Sequence, residues 1–213
     1  MDLIFIVSIF VLCVFSYLAG SLSAAIIVCK LLGYPDPRGS GSNNPGTTNV
    51  LRIAGKGPAI LTLTGDVAKG VIPILVGKAF NIEGYALALM GLCAFLGHLF
   101  PVFFNFEGGK GVATAVGVIT TINWHIGLTL LGIWLLMAVM FRYSSLAALV
   151  AAACAPVLAY LWDKPLLYPG IVMVALLFYR HKPNIKALLK GTESKIGQKK
   201  ENQNNPDTAS SAK

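Results

Sequence analysis

The chain has 213 residues, of which 55% are apolar and only 12% are charged. Soluble domains average about 25% charged residues, so a soluble protein of this composition could not cover its own surface with polar side chains. The composition therefore excludes an ordinary soluble domain and predicts an all-α integral membrane protein. The net charge of +8 fits basic residues at a membrane surface, and no nucleic-acid motif accompanies it, so we expect no nucleic-acid partner.

Apolar runs divide the sequence into seven candidate membrane spans. About 20 apolar residues cross a hydrocarbon core of roughly 30 Å. In chain order, the candidate spans are 3–30, 57–80, 84–104, 111–124, 126–141, 144–162 and 166–180. The run 111–141 would measure about 46 Å as one helix, which is too long for a single crossing. We therefore predict two short helices there, which turn at Asn123, Trp124 and His125.

Basic residues predict the orientation of these spans. With the N-terminus outside, seven crossings place loops 31–56, 105–110 and 142–143 and the chain after Arg180 inside. Of the 17 lysines and arginines, 14 then lie on the inner side, all except Lys69, Lys78 and Lys164. The positive-inside rule thus predicts an outside N-terminus and a cytoplasmic C-terminus.

A single membrane domain is predicted over residues 1–195. Residues 196–213 are rich in Lys, Gln, Asn and Ser and show no apolar period. Such a composition predicts a disordered, basic and polar cytoplasmic tail. Its positive charge beside the bilayer is typical of a segment that contacts lipid headgroups.

The first predicted inner loop, from Asp36 to Arg52, is dense in glycine, hydroxyl and amide groups. Glycines let backbone N–H groups approach a ligand closely, and successive N–H groups in such turns form anion-binding nests. Thr48, Asn49 and Arg52 then share one face of a helix that leads into the second span. A flexible linker is also rich in Gly and Ser, but it does not usually end in such a motif against a membrane helix. The loop therefore predicts an anion site.

The second inner loop carries Gly108-Gly109-Lys110-Gly111 at the start of a predicted helix. Free N–H groups, the positive end of a helix dipole and one cation suit a phosphate. The loop is not a Walker A motif, because Phe104 replaces the required glycine and Gly111 replaces the Ser or Thr that holds Mg²⁺. ATP hydrolysis is therefore not supported. His98, at the end of the third span, is either a donor to a ligand or an ordinary interfacial histidine.

A third polar stretch follows the last span, from Arg180 to Asn184 and from Gly191 to Lys195. By itself it is typical of the basic cap that ends a membrane bundle. The predicted topology, however, places it in the same compartment as the other two loops. That convergence favours one shared site.

Asp66 and Lys69 lie near the middle of the second span. At a spacing of i, i+3 they can neutralise each other, and ionisable groups at membrane depth are functional candidates. A proton relay would use such a pair, and so would a structural clamp between helices. We favour the clamp, because no further acidic residues continue a path through the membrane.

These residues together resemble the bacterial membrane glycerol-3-phosphate acyltransferases of the PlsY type, which use acyl phosphate as donor. The family's motif GSGNPGATNxxR corresponds to Gly41 to Arg52, with Asn43 in place of a glycine and Thr47 in place of an alanine. Asn43 matters if that position needs a positive φ, although Asn tolerates it better than most residues. The second motif, GHxxPxFxxFxGGKGVAT, is matched in full from Gly97 to Thr114. The third corresponds to His181, Asn184 and Glu193.

The resemblance implies transfer of a fatty acyl group from acyl phosphate to the 1-hydroxyl of sn-glycerol 3-phosphate. The products would be lysophosphatidic acid and phosphate, at the entry to phospholipid synthesis. It implies a bacterial plasma (inner) membrane location, an active site on the cytoplasmic side, and coupling to a soluble phosphate acyltransferase that produces acyl phosphate. We expect no cofactor and no metal, because no cluster of carboxylates, His or Cys has ligand spacing.

The resemblance also assigns roles to the motif residues. The site must bind the phosphates of both substrates and the acyl carbonyl, and it must orient the acceptor hydroxyl. An acyl phosphate is already activated, so no Ser or Cys nucleophile is required. Catalytic roles fall to Ser42, Arg52, His98, Lys110, His181 and Asn184. Substrate-binding roles fall to Asn44, Gly46, Thr48, Asn49, Gly108, Gly109 and Gly111. Structural roles fall to Asp66, Lys69 and Glu193. The resemblance implies that the substrate itself assists removal of the hydroxyl proton, and whether any protein residue acts as a general base stays open. Which loop holds which phosphate also stays open.

A transporter of a phosphorylated metabolite is the alternative function. It would use the loops as an anion-binding mouth and Asp66 with Lys69 as a coupling pair. Such proteins carry inverted repeats with paired broken helices. We find no convincing pair of repeats in this sequence, so the acyltransferase is preferred.

Overall fold

The computed structural model describes residues 3–197, and the regular structure in that range is helical. The helices are α1 Leu3–Gly20, α2 Ala24–Leu31, α3 Thr47–Ala54, α4 Lys56–Ala79, α5 Gly84–Leu99, α6 Val112–Ile122, α7 Trp124–Phe141, α8 Ser144–Trp162, α9 Lys164–Arg180 and α10 Lys182–Leu189. A short 3₁₀ helix, Val102–Phe104, follows α5. The all-α prediction is confirmed.

Within the described range 3–197, five segments are long and apolar enough to cross a membrane: Leu3–Gly20, Lys56–Ala79, Gly84–Phe104, Trp124–Phe141 and Ser144–Trp162. Each corresponds to one of the seven predicted spans. The other two predicted spans correspond to α6, with 11 residues, and α9, with 17 residues. At 1.5 Å per residue, α6 rises only about 16 Å.

The first predicted span, 3–30, is wrong as a single helix. The structure breaks it between Gly20 and Ala24, so that α1 and α2 are separate helices. At the end of α1, both the amide and the hydroxyl of Ser21 donate to the Tyr17 carbonyl, at 2.9 and 2.8 Å. The break leaves the Leu22 carbonyl free of the helix, and Lys69 Nζ donates to it at 2.9 Å.

The predicted turn within 111–141 is confirmed at Asn123, whereas Trp124 and His125, also predicted to form the turn, belong to α7. α6 ends at Ile122 and α7 begins at Trp124, with Asn123 between them. Asn123 caps α7, because its side-chain oxygen accepts a hydrogen bond from the Ile126 amide at 3.3 Å. One polar residue in a long apolar run is thus enough to start a new helix.

The other helices pack around α4, α5 and α8. α1 lies on α5, α4 lies on α6, and α8 lies between α7 and α9. α4 and α6 approach so closely that a Cβ on Gly70 would lie 2.4 Å from the Thr114 carbonyl oxygen. This contact brings the Asp66 turn of α4 against the start of α6, beside the second inner loop, from Gly108 to Gly111. The buried core between α5 and its neighbours includes Ile74, Met90 and Phe95.

The end of the described chain is fixed to the turn between α7 and α8. The Ile196 amide donates to the Arg142 carbonyl at 2.7 Å, and the Arg142 guanidinium donates to the Ile196 carbonyl at 3.2 Å. Ordered contacts therefore reach just past the predicted domain boundary at residue 195. The rest of the predicted tail lies outside the described residues.

Candidate active site

The first glycine-rich loop is organised by Asn49, at the start of α3. Its side-chain oxygen accepts from the Ser42 amide at 2.8 Å, and its Nδ2 donates to the carbonyls of Pro37 and Ser40, each at 2.9 Å. The side chain is buried, so these bonds are shielded from water. Asn49 therefore organises the loop, and its predicted contact with substrate stays a prediction.

Asn43 occupies the position where the resembling motif has glycine. Its φ is +55°, which is the left-handed conformation that glycine and asparagine tolerate. The loop thus keeps its shape despite this departure. Ser42, Thr48 and Arg52 are exposed around it, and Asn44 and Gly46 are partly exposed.

The second loop, from Gly108 to Gly111, is held by Arg180 at the end of α9. Arg180 Nε donates to the Gly109 carbonyl at 3.0 Å, and a terminal guanidinium nitrogen donates to the Gly108 carbonyl. The carbonyls of Gly108 and Gly109 are therefore both bonded to the Arg180 guanidinium. The first N–H groups of α6, which begins at Val112, lack partners within the helix and are available to an anion.

A cluster of cations surrounds Lys110. Within residues 3–197, Lys110 makes no hydrogen bond or ion pair. Burial lowers its pKa to about 8; Glu193 opposes the shift, whereas Arg52 and Arg180 add to it by repulsion. The positive charges of Arg52 and Arg180 thus act on the half-buried Lys110, and Glu193 offsets them only in part. A bound anion would stabilise these cations, and a phosphate dianion carries suitable charge.

The third polar stretch meets the cluster through Glu193. Its Oε1 accepts from Ser145 Oγ at 2.6 Å and from Asn184 Nδ2 at 2.8 Å. The amide of Asn184 is thereby oriented, and its buried Oδ1 has no partner in the described part of the chain. An acceptor that is buried and unused is a natural place for a ligand hydroxyl.

His181 presents a similar acceptor. Its Nδ1 lies 2.8 Å from the Leu177 carbonyl, which can only accept, so Nδ1 carries the proton. Burial lowers the pKa of His181 to about 4, and Lys110 contributes to the shift, so the ring is neutral at physiological pH. The lone pair of a neutral ring then lies on Nε2.

His98, on the last turn of α5, contacts the predicted membrane pair. Its Nδ1 lies 3.1 Å from Thr114 Oγ1 and 3.6 Å from Asp66 Oδ1. The same Asp66 oxygen pairs with Lys69 Nζ at 2.9 Å, as their spacing predicts. The pair is therefore not an isolated clamp, because it reaches the ring of a predicted site residue.

Two cavities flank these residues. A polar cavity of about 300 Å³ lies between the first and second loops, with Arg38, Asn43, Glu107 and Arg180 in its lining. Arg38 ties these loops together, since it pairs with Glu107 at 3.1 Å as well as with Asp36. An apolar cavity runs between α6, α7, α8 and α9, with Val112 among the residues that line it.

The three stretches predicted to share a site are thus brought together. Arg38 and Glu107 join the first loop to the second, Arg180 joins the second to α9, and Glu193 acts on Lys110. Sequence reasoning included Arg180 in the third polar stretch but gave it no role in the site, because a basic residue after a last span is expected from topology alone. Ser145 and Thr114 were also missed.

Known proteins match the chain over most of its length. A family described as glycerol-3-phosphate acyltransferase matches residues 10–191. A glycerol-3-phosphate acyltransferase from Methylococcus capsulatus is 53% identical over 188 residues, covering 87% of this chain and 95% of the relative. One from Coxiella burnetii is 46% identical over 193 residues, covering 90% and 98%.

Solved structures give the same result. The crystal structure of PlsY (YgiH), an integral membrane glycerol 3-phosphate acyltransferase, in its glycerol 3-phosphate form has a TM-score of 0.84 at 40% identity, covering 89% of this chain and 96% of that one. Its lysophosphatidic acid form has a TM-score of 0.82 at 39% identity. The chain therefore belongs to the PlsY-type glycerol-3-phosphate acyltransferase family of integral membrane proteins.

Proposed function

We propose that the protein transfers a fatty acyl group from acyl phosphate to the 1-hydroxyl of sn-glycerol 3-phosphate. The observation that carries this proposal is the cation cluster of Arg52, Lys110 and Arg180 beside the unused acceptor of Asn184. A phosphate bound by the cations would bring its glycerol hydroxyls toward oriented acceptors. The names of the relatives support the acceptor, and the lysophosphatidic acid form of PlsY supports the product.

The chemistry of the site and the sequence motifs support acyl phosphate as the donor. An acyl phosphate is already activated, so its carbonyl needs only correct orientation and stabilisation of developing negative charge. In the reaction, the acceptor oxygen forms a bond to the acyl carbon while the bond from that carbon to the phosphate oxygen breaks. The hydroxyl proton leaves with the phosphate. The motif of acyl-CoA transferases, a His followed five residues later by Asp, is absent, because Phe103, Leu130 and Lys186 stand at those positions.

The acyl chain needs an apolar site next to this chemistry. The cavity between α6 and α9 is suited to it, since Val112 at its lining directly follows Gly111 of the loop. Small residues of α8, such as Ala148, Ala152 and Ala155, keep the cavity open along that helix. The phosphate end of the donor would lie at the loop and its chain along α8.

The proposal includes a membrane arrangement. We infer seven crossings, with α6 and α9 as the short ones, an outside N-terminus and the three polar loops at the cytoplasmic side of the inner membrane. The distribution of basic residues supports that orientation. A cytoplasmic site would receive acyl phosphate from a soluble phosphate acyltransferase and glycerol 3-phosphate from the cytosol.

The test is a product assay with the purified protein in detergent, using labelled glycerol 3-phosphate. Palmitoyl phosphate is expected to give labelled lysophosphatidic acid, whereas palmitoyl-CoA gives none. Equal rates with the two donors would refute the donor assignment. Activity should also persist in EDTA, and a loss that Mg²⁺ restores would count against a metal-free reaction.

The transporter alternative is tested with the same protein in lipid vesicles. Labelled glycerol 3-phosphate should not accumulate inside the vesicles when no acyl donor is present. Accumulation without acylation would favour transport instead. The family match supports the enzyme.

A further inference from the structure

The apolar cavity between α6, α7, α8 and α9 is closed at the end that lies away from the second inner loop. Val112, next to that loop, lines one end, and the other end is lined by Ile126 of α7, Ala159 of α8 and Leu166 of α9. These last three residues are buried, at 0%, 2% and 2% exposure, and they pack together in one apolar cluster. The cavity therefore ends in a floor of protein side chains.

The two larger residues of this floor are each held by a helix cap. The Ile126 amide donates to the side chain of Asn123, and the Leu166 amide donates to the side chain of Asp163, both at 3.3 Å. Asn123 Nδ2 also donates to the Trp162 carbonyl at 3.5 Å, which joins the two turns that carry the caps. The backbone under the floor is thus fixed by side-chain hydrogen bonds from both turns.

The length of the cavity follows from the helices that line it. Its lining extends from Ala148 to Ala159 on α8 and from Leu166 to Leu177 on α9. Each stretch advances eleven residues along its helix, which corresponds to a rise of about 16 Å. A hydrocarbon core of roughly 30 Å holds the acyl chains of two leaflets, so the chains of one leaflet extend over about 15 Å. The cavity is therefore about as long as the acyl chain of an ordinary membrane lipid.

The wall of the cavity on α8 is made of alanines at helical spacing, which include Ala148, Ala152, Ala155 and Ala159. Alanine has no side-chain rotamers to adjust, so the position of this wall is set by the backbone of α8. Ala155 lies about 10 Å along the helix from Ala148 and is buried. A larger side chain at Ala155 would therefore obstruct the cavity before its floor is reached.

We propose that Ile126 and Leu166 determine the chain length of the acyl donor, because they form the floor of the cavity that receives its chain. The inference rests on the proposed function and adds specificity for acyl chain length to it. A chain as long as the cavity is buried along its whole length. A longer chain meets the fixed floor and must bend, or its carbonyl stays away from the second inner loop. One methylene group in an apolar pocket changes kcat/KM roughly 10- to 200-fold, so a sharp upper limit is expected.

The first experiment removes the floor. kcat/KM is measured in detergent with labelled glycerol 3-phosphate and lauroyl, palmitoyl or arachidoyl phosphate. In the parent, palmitoyl phosphate should exceed arachidoyl phosphate at least about tenfold. Ile126→Ala should bring arachidoyl phosphate to within about threefold of palmitoyl phosphate. The matched control is Leu128→Ala on the same helix, where Leu128 is 49% exposed, and it should keep the parental ratio.

The second experiment shortens the cavity. Ala155→Leu should lower kcat/KM for palmitoyl phosphate at least about tenfold and leave lauroyl phosphate within about threefold of the parent. Ala153→Leu adds the same atoms to an exposed position of α8 and should change neither value. If Ile126→Ala does not fold, Leu166→Val takes its place, since it removes one carbon from the same floor and should raise the relative kcat/KM of stearoyl phosphate.

The outcomes separate this inference from the function on which it rests. A parent that turns over none of the acyl phosphates would refute the proposed function, and the floor would lose its role with it. A parent that uses palmitoyl and arachidoyl phosphate equally well would leave the function intact and overturn the chain-length limit. Folded floor and Ala155→Leu variants that keep the parental donor ratios would overturn it as well.

Discussion

Arg180 donates a hydrogen bond to the carbonyl of Gly109 at 3.0 Å, so the end of α9 holds the loop that precedes α6. The guanidinium also reaches the Gly108 carbonyl. A planar fork can bond two neighbouring carbonyls at once, which a single ammonium group cannot do in the same geometry. The shape of the predicted phosphate loop therefore depends on a residue from the far end of the chain.

Arg180→Lys should lose activity although it keeps its charge. Losing one of two bonds to the loop carbonyls costs about 1.5–3 kcal/mol, or roughly ten- to a hundredfold in kcat/KM. Steady-state kinetics with acyl phosphate measure the loss. The control is Lys186→Met, which removes an exposed charge from α10 and should leave kcat/KM unchanged. Parental kinetics in Arg180→Lys would mean that only the charge matters.

Lys110 predicts a pH dependence of substrate affinity. Its pKa is lowered to about 8, mainly by burial, so the free enzyme loses this charge at a lower pH than an ordinary lysine would. Glycerol 3-phosphate is already a dianion above about pH 7, because the second phosphate pKa is about 6. The KM for glycerol 3-phosphate should therefore rise between about pH 7 and pH 9, whereas Lys110→Arg should flatten that rise and Lys110→Ala should raise KM at every pH. A KM that is independent of pH in the parent would contradict this role.

Asp66 and Lys69 should depend on each other for stability. Asp66→Asn leaves a buried ammonium group without its counter-ion, which typically costs about 3–5 kcal/mol. Asp66→Asn combined with Lys69→Met should recover part of the loss in melting temperature. Recovery should be incomplete, since Lys69 also bonds the Leu22 carbonyl at the break between α1 and α2. A double variant less stable than Asp66→Asn alone would exclude the clamp.

Glu193 should stabilise the C-terminal stretch through its two hydrogen bonds. Glu193→Ala removes the acceptor for both Ser145 and Asn184, whereas Ser145→Ala removes only one of these bonds. Glu193→Ala should therefore lower the melting temperature more than Ser145→Ala does. The expected loss of unfolding free energy in Glu193→Ala is about 1–2 kcal/mol, and it stays small because Glu193 is partly exposed. It should also raise KM for glycerol 3-phosphate by freeing the Asn184 amide. Equal stability of the two variants would show that the Asn184 bond contributes nothing.

Cysteine labelling tests the orientation of the loops. In a background without the native Cys13, Cys29, Cys93 and Cys154 thiols, single cysteines at Ser40, Glu107 and Lys190 should react with impermeant reagents only in opened cells. Glu107 is chosen over its neighbour Gly108, where a Cβ would lie 2.1 Å from the His98 carbonyl oxygen. Labelling of Glu107→Cys from outside would place this loop on the opposite face.

Some of these features could be predicted from sequence because a single local signal decides them. Asn123 interrupts an apolar run and caps the next helix, and Asn43 tolerates the positive φ that its position requires. The break after Gly20 could not be predicted, since serines within an apolar run often bond back to their own helix. The Leu22 carbonyl at this break accepts a hydrogen bond from Lys69 of α4, so the signal for the break is not local in sequence. The link from Asp66 to His98 was missed for the same reason, because it depends on how α4, α5 and α6 pack.

The short helix α6 has a consequence for the depth of the chemistry. A helix that rises about 16 Å covers only half of a hydrocarbon core of roughly 30 Å. If the Asn123 turn lies near one surface, the glycine-rich loop at the other end of α6 lies well below the lipid headgroups. In the proposed reaction, a donor anchored by its acyl chain would then diffuse laterally within the leaflet to present its carbonyl, while glycerol 3-phosphate would enter from the water. The lipid product would return to the leaflet by the same lateral route, and its acyl tail would not cross an aqueous layer.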